Sequence, residues 1–147
     1  MTKDILVKIS GMQFTADNED PNEPEPVEII APGEYYFKNG KHYIIYDEFM
    51  EGFDSVTKNV LKLKNDSLEI TKRGSSNVHM IFEKDKKNLT CYTTPFGNLM
   101  MGIDARRILI EESEEEIYAQ VEYALDINYE HLADCTIQLR VQPKRQQ

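Results

Sequence analysis

Residues 117–129 read IYAQVEYALDINY, and every odd position from Ile117 to Tyr129 is apolar or aromatic. Tyr118, Gln120, Glu122, Asp126 and Asn128 hold most of the intervening positions. Successive side chains on a strand point to opposite faces, whereas a helix places its apolar residues three and four apart. The alternation therefore predicts a strand with one face buried. Helix propensity permits a helix over 111–119 instead, but only before the alternation sets in.

The same period recurs outward in both directions. Ile5, Val7 and Ile9 alternate with polar neighbours and predict a first strand ending near Phe14. Val27 to Ile30 resumes the pattern, and Pro32-Gly33 bends it before Tyr35-Tyr36-Phe37. Asn39-Gly40 then separates two aromatic, β-branched runs, the strongest short-range hairpin signal, because both turn residues accept positive φ. Further strands are expected at Lys41–Met50, Val56–Lys64, Leu68–Lys72, Val78–Phe82, Leu89–Thr94, Leu99–Ile110 and Cys135–Val141. Turn-forming residues separate them.

About nine or ten strands joined locally make an all-β antiparallel, up-and-down meander. The longest ones extend on the order of 40 Å. Open edges of that length invite pairing with other chains, and closure into a barrel removes them. The expected fold is a single calycin/lipocalin-like barrel of about eight to ten strands spanning residues 1–147. A flexible acidic loop at about 15–26 and a frayed tail at about 143–147 complete it.

With 26 acids against 17 bases, the net charge is −9. Nucleic-acid affinity comes largely from phosphate neutralisation, so no nucleic-acid partner is expected. The run from Asp17 to Glu28 holds six acids and no base, and Glu111–Glu116 holds five glutamates. Neither has the alternating acid spacing with a central glycine of a calcium loop. No apolar run approaches the roughly 20 residues of a membrane helix, and no secretory leader is expected, because the first residues reach a charge at Lys8 after a short apolar run. A cytoplasmic protein with no membrane partner is expected, with Cys91 and Cys135 as reduced, buried thiols.

Catalytic signatures are lacking. His42, His79 and His131 share no metal-ligand spacing, so no metal and no cofactor is expected. There is no GxSxG elbow and no glycine-rich phosphate loop, and Asp47 and Glu48 are adjacent on a strand and must diverge. The informative residues are polar groups on apolar strands. Glu48 shares a face with Ile44, Tyr46 and Met50; Arg107 shares one with Met101, Ile103 and Leu109; Arg140 lies between Leu139 and Val141.

A buried charge needs a partner. The plain expectation pairs Glu48 with Arg73, Arg107 or Arg140 as a structural plug, or leaves it at a wet rim. The sharper one has an arginine awaiting an anionic head group. Tyr46, Tyr123, Tyr129 and the methionines Met80, Met100 and Met101 then line an apolar body. The candidate ligand-binding set is thus Tyr46, Glu48, Arg73, Arg107, Tyr123 and Arg140, with no catalytic residue.

Several short elements together resemble one known family. They are Tyr46-Asp47-Glu48, Arg73-Gly74, the run Tyr92-x-Thr94-Pro95-Phe96-Gly97 and the closing Tyr123-Ala124-Leu125-Asp126-Ile127-Asn128. In order and spacing, over most of the chain to about Val141, they resemble the YwiB-like family of bacterial proteins. That resemblance implies a calycin-like β-barrel of unknown function and supplies no catalytic residue or ligand. Two functions from different classes follow. One is a non-enzymatic barrel holding a small apolar or amphipathic ligand. The other is a filled barrel docking a protein partner through the 17–28 loop or a face around Tyr35, Tyr36 and Phe37. An enzyme ranks third.

Overall fold

The structure, a computed structural model, describes residues 1–11, 28–49, 56–74, 77–94 and 97–144. Ten strands follow in chain order. They are β1 (Asp4–Ser10), β2 (Glu28–Lys38), β3 (Lys41–Phe49), β4 (Val56–Lys64) and β5 (Ser67–Arg73). Then come β6 (Val78–Glu83), β7 (Lys87–Thr94), β8 (Gly97–Glu112), β9 (Ile117–Ile127) and β10 (Glu130–Pro143). Among the described residues there is no helix, so the stretch 111–119 ends one strand, turns and begins the next.

The strands form one antiparallel sheet in the order β6-β5-β4-β3-β2-β1-β10-β9-β8-β7. Only β1 and β10 are neighbours without being consecutive, and their pairing (Ile5↔Pro143 to Ser10↔Gln138) joins the two halves of the meander. The outer strands β6 and β7 then approach each other, and the sheet curls into a nearly closed barrel. Among the described residues their seam carries one bridge, Asn77↔Thr93, with both backbone bonds at 2.9 Å. The Asn88 side-chain amide adds a bond to the Ile81 carbonyl at 3.1 Å.

Alternation puts one face of every strand inside. Ile5, Val7 and Ile9 of β1, Leu61 and Leu63 of β4, and Val121 and Leu125 of β9 are all at most 1% exposed. Each such burial stabilises by roughly 1.5–3 kcal/mol relative to exposure. Phe82 and Tyr123 meet edge to face across the interior, ring centroids 5.0 Å apart. The core is packed side chain against side chain along the middle of the barrel.

Three expectations need correction, and a fourth lies beyond the described residues. The strand begun at Ile117 stops at Ile127, because Asn128 and Tyr129 adopt positive φ (49° and 69°) in a tight turn; Tyr129 is exposed. The chain at 143–144 is not frayed: Pro143 pairs with Ile5, and Lys144 N–H donates to the Asp4 carbonyl at 3.0 Å. Cys91 lies on the outer face and is exposed, while Cys135 points inward and is half-buried; both thiols are free. The acidic loop at 15–26, and residues 12–14 of the expected first strand, lie outside the described residues.

Candidate functional site

Up-and-down topology gives the barrel two distinct ends. The hairpin end holds the Asn39-Gly40 and Asn65-Asp66 turns. The opposite end is where β3 finishes at Phe49 and β4 starts at Val56. Along β3 the inward residues read His42, Ile44, Tyr46, Glu48, so this column is polar at both ends and apolar between. The inward residues of β4 run Thr57, Asn59, Leu61, Leu63, and those of β5 run Leu68, Ile70, Lys72.

Register brings the polar residues together at the Phe49 end. Tyr46 is opposite Asn59 and Glu48 opposite Thr57, and Asn59 is in turn opposite Lys72. All five are buried: Tyr46 2%, Glu48 8%, Thr57 1%, Asn59 0% and Lys72 6% exposed. Two glycines make the packing possible. Gly33 is the register partner of Tyr46, and a Cβ on it would lie 2.6 Å from the Ile45 carbonyl oxygen. Gly74, at φ +150°, closes over β4, where a Cβ would come within 2.7 Å of Thr57 Cα.

Within this buried polar cluster, called the polar chamber below, Lys72 Nζ donates to Glu48 Oε1 at 2.9 Å. Asn59 Nδ2 reaches Glu48 Oε1 and the Thr57 carbonyl, each at 3.4 Å. Tyr46 Oη, Thr57 Oγ1 and Asn59 Oδ1 are buried without any hydrogen-bond partner. Such a group normally costs about 1–3 kcal/mol, so three on adjacent strands are a conspicuous deficit. Burial and the nearby Glu48 charge push the Tyr46 phenol far above its ordinary pKa.

The hairpin end is also polar, in a different way. His42 is 8% exposed, and its Nδ1 lies 2.6 Å from Tyr35 Oη, its Nε2 3.1 Å from Glu112 Oε2. The carboxylate accepts only, so Nε2 donates to it, and Nδ1 shares the remaining hydrogen bond with the tyrosine hydroxyl. This clasp ties β2 and β3 to the end of β8. An open hollow of about 380 Å³ adjoins it, lined by Met1, Tyr35, Glu112, Ser113, Glu114 and Ile117. Burial, then the Glu112 charge, raises the Tyr35 phenol.

Of the six predicted site residues, Tyr46, Glu48 and Tyr123 face the interior. Burial pushes both the Tyr123 phenol and the Cys135 thiol up. The three arginines do not join them. Arg107 is exposed because a bulge between Ala105 and Arg107 inverts the alternation of β8, turning Ile108 and Ile110 inward instead. Arg140 points outward between two buried neighbours, pairs with Glu116 at 2.8 Å and covers the Tyr118 ring. Arg73 follows inward Lys72 and is exposed at the strand end. Glu48 therefore has a lysine, not an arginine, as its partner.

Met80 and Met101 are buried inside, Met100 is half-buried outside, and Tyr129 lines nothing within. The reading of the residues missed Lys72, Asn59 and Thr57, although alternation with Leu68 and Ile70, and with Leu61 and Leu63, marks all three as inward. His42, read from the sequence only as lacking metal-ligand spacing, is buried.

Residues 7–139 match the model of a domain of unknown function, DUF1934. The chain belongs to this family. It is 25% identical over 121 residues to the uncharacterized beta-barrel protein YwiB of Bacillus subtilis, covering 81% of this chain and 84% of that one. The crystal structure of the ywiB protein from Bacillus subtilis superposes with a TM-score of 0.75 at 18% identity, covering 97% and 93% of the two chains. That likeness establishes the barrel fold.

Proposed function

We propose that this protein is a small-molecule-binding barrel whose site is the polar chamber at the Phe49 end. The supporting observation is the trio Tyr46 Oη, Thr57 Oγ1 and Asn59 Oδ1, buried side by side with unused hydrogen-bonding capacity. Native interiors rarely leave polar groups unpaired except where they hold strain, water or a ligand. The packed middle of the barrel argues for a ligand held at one end rather than along a lipocalin-type apolar cavity. The expected arginine-anchored anion has no support, since all three candidate arginines lie outside.

Native mass spectrometry of freshly purified protein tests this reading. A bound mass that disappears on denaturation, and whose occupancy falls in Tyr46→Phe, supports it. Bare protein in every preparation counts against it.

A second reading, docking of a partner protein on the outer sheet, draws on a groove of about 480 Å³ lined by Tyr36, Phe37, Lys38, Asn39, Tyr43 and Ile45. Phe37 is 62% exposed there, whereas Tyr35 points inward and takes no part. Retention of a partner by the folded wild type and not by folded Phe37→Ser favours this alternative.

A further inference from the structure

Resting on the chamber as a binding site, we infer that its ligand is uncharged and carries a hydrogen-bond donor beside an acceptor, as amides, lactams and vicinal diols do. The orientation of Asn59 carries the argument. Its Nδ2 faces the Glu48 carboxylate and the Thr57 carbonyl. Reversing the amide would set Oδ1 against a carboxylate, acceptor facing acceptor, so the orientation is fixed electrostatically. Oδ1 therefore looks for a donor, and finds none among the described residues. A carboxylate or fully ionised phosphate group brings acceptors only and leaves this atom orphaned.

The charges in the chamber exclude ions of either sign. Lys72 and Glu48 form a closed pair at 2.9 Å, both at most 8% exposed. An anion must compete with Glu48 for the ammonium, and a cation must sit beside Lys72. Either brings a further charge against a buried ion pair, which is strongly disfavoured without a new partner. A neutral group avoids both penalties. Its donor goes to Asn59 Oδ1. Its acceptor takes the Tyr46 or Thr57 hydroxyl, each of which rotates to donate or accept. Tyr46, Asn59 and Lys72 stand in register on adjacent strands about 5 Å apart, so one small group reaches two of them.

Matched probes that differ in charge decide the question: nicotinamide against nicotinate, lactamide against lactate, glycerol against glycerol phosphate. Saturation-transfer NMR on the full chain measures binding, with Tyr46→Phe and Thr57→Val as variants that delete orphan hydroxyls without leaving a buried group unpaired. The expected result is saturable binding of neutral members, little of their anionic counterparts, and an affinity loss of about tenfold in each variant. Preference for the anionic members overturns the ligand class while leaving the chamber as the site. Binding that ignores both variants places the site elsewhere and overturns both statements. Should no probe bind, the mass co-purifying with the protein arbitrates. A neutral amide, lactam or polyol upholds the class, a charged compound refutes it, and bare protein removes the site itself.

Discussion

Asn59 Nδ2 lies 3.4 Å from Glu48 Oε1, while Lys72 Nζ lies 2.9 Å from the same oxygen. One carboxylate oxygen thus gathers donors from two neighbouring strands, and Glu48 becomes the hub on which the buried chamber is built. Removing water from an ion pair is costly, and the pair recovers that cost only while both members are present. Lys72→Met should therefore destabilise the fold by about 3–5 kcal/mol, because it leaves a buried carboxylate without its ammonium. Replacing Glu48 with leucine in the same chain should restore much of the loss. Urea unfolding of the two single variants and the double variant measures the coupling. Additive losses would mean that the pair contributes nothing.

One substitution at two tyrosines should give opposite results. Tyr46→Phe deletes a hydroxyl that has no partner, so stability should stay within about 0.5 kcal/mol or rise. Tyr35→Phe deletes the hydroxyl partner of His42 Nδ1, 2.6 Å away, and leaves a buried ring nitrogen unpaired. That variant should lose about 1–2 kcal/mol. Denaturation midpoints at neutral pH compare the two directly, and equal losses would contradict the distinction between an orphan and a bonded hydroxyl.

Alkaline titration should expose the buried phenols. Burial holds the Tyr46 and Tyr123 hydroxyls well above the ordinary tyrosine value of 10.0. The folded pKa values are raised, so their contribution to stability is complete below the unfolded value. It is lost as pH climbs beyond about 10 towards the folded values, because only the unfolded chain releases those protons. Folding stability should fall steadily above about pH 10, and absorbance should show two of the eight tyrosines ionising only with unfolding. Wild-type phenolate spectra at both positions in a folded chain would rule this out.

Strand content was legible because period-two patterning is local and survives without tertiary information. The hairpin at Asn39-Gly40 and the strand Val56–Lys64 stand where their residues say. Orientation was legible only while the phase held. At Ala105–Arg107 a bulge adds one residue to β8, and extrapolating from Met101 and Ile103 then points Arg107 to the wrong face. Lys72 is the reverse case. Its phase with Leu68 and Ile70 was plain, but a lysine seldom faces a core, and preferring arginines as partners obscured it. His42 was hidden for a different reason: its partner Glu112 lies 70 residues away and meets it only when the barrel curls.

The seam between β6 and β7 should be the place where the barrel opens. Elsewhere each strand is held to its neighbours by a ladder of six or more paired residues, but among the described residues the β6–β7 seam carries one bridge, Asn77↔Thr93, just before β6. One side-chain bond, from Asn88 to the Ile81 carbonyl at 3.1 Å, spans the gap further along. Local opening follows the number of bonds and contacts that must break together, so amides of β6 and β7 facing the seam should exchange fastest among the strands. Asn88→Ala should speed exchange there by about tenfold, corresponding to a lost bond of about 1 kcal/mol, and leave β1 and β10 unchanged. A disulfide built by Asn77→Cys with Thr93→Cys should slow it, because a doubly hydrogen-bonded antiparallel pair has its Cα atoms about 5.5 Å apart, within disulfide range. Hydrogen-exchange mass spectrometry on the three proteins gives the answer. Uniform protection across all ten strands would show that the seam is closed as firmly as the rest of the wall.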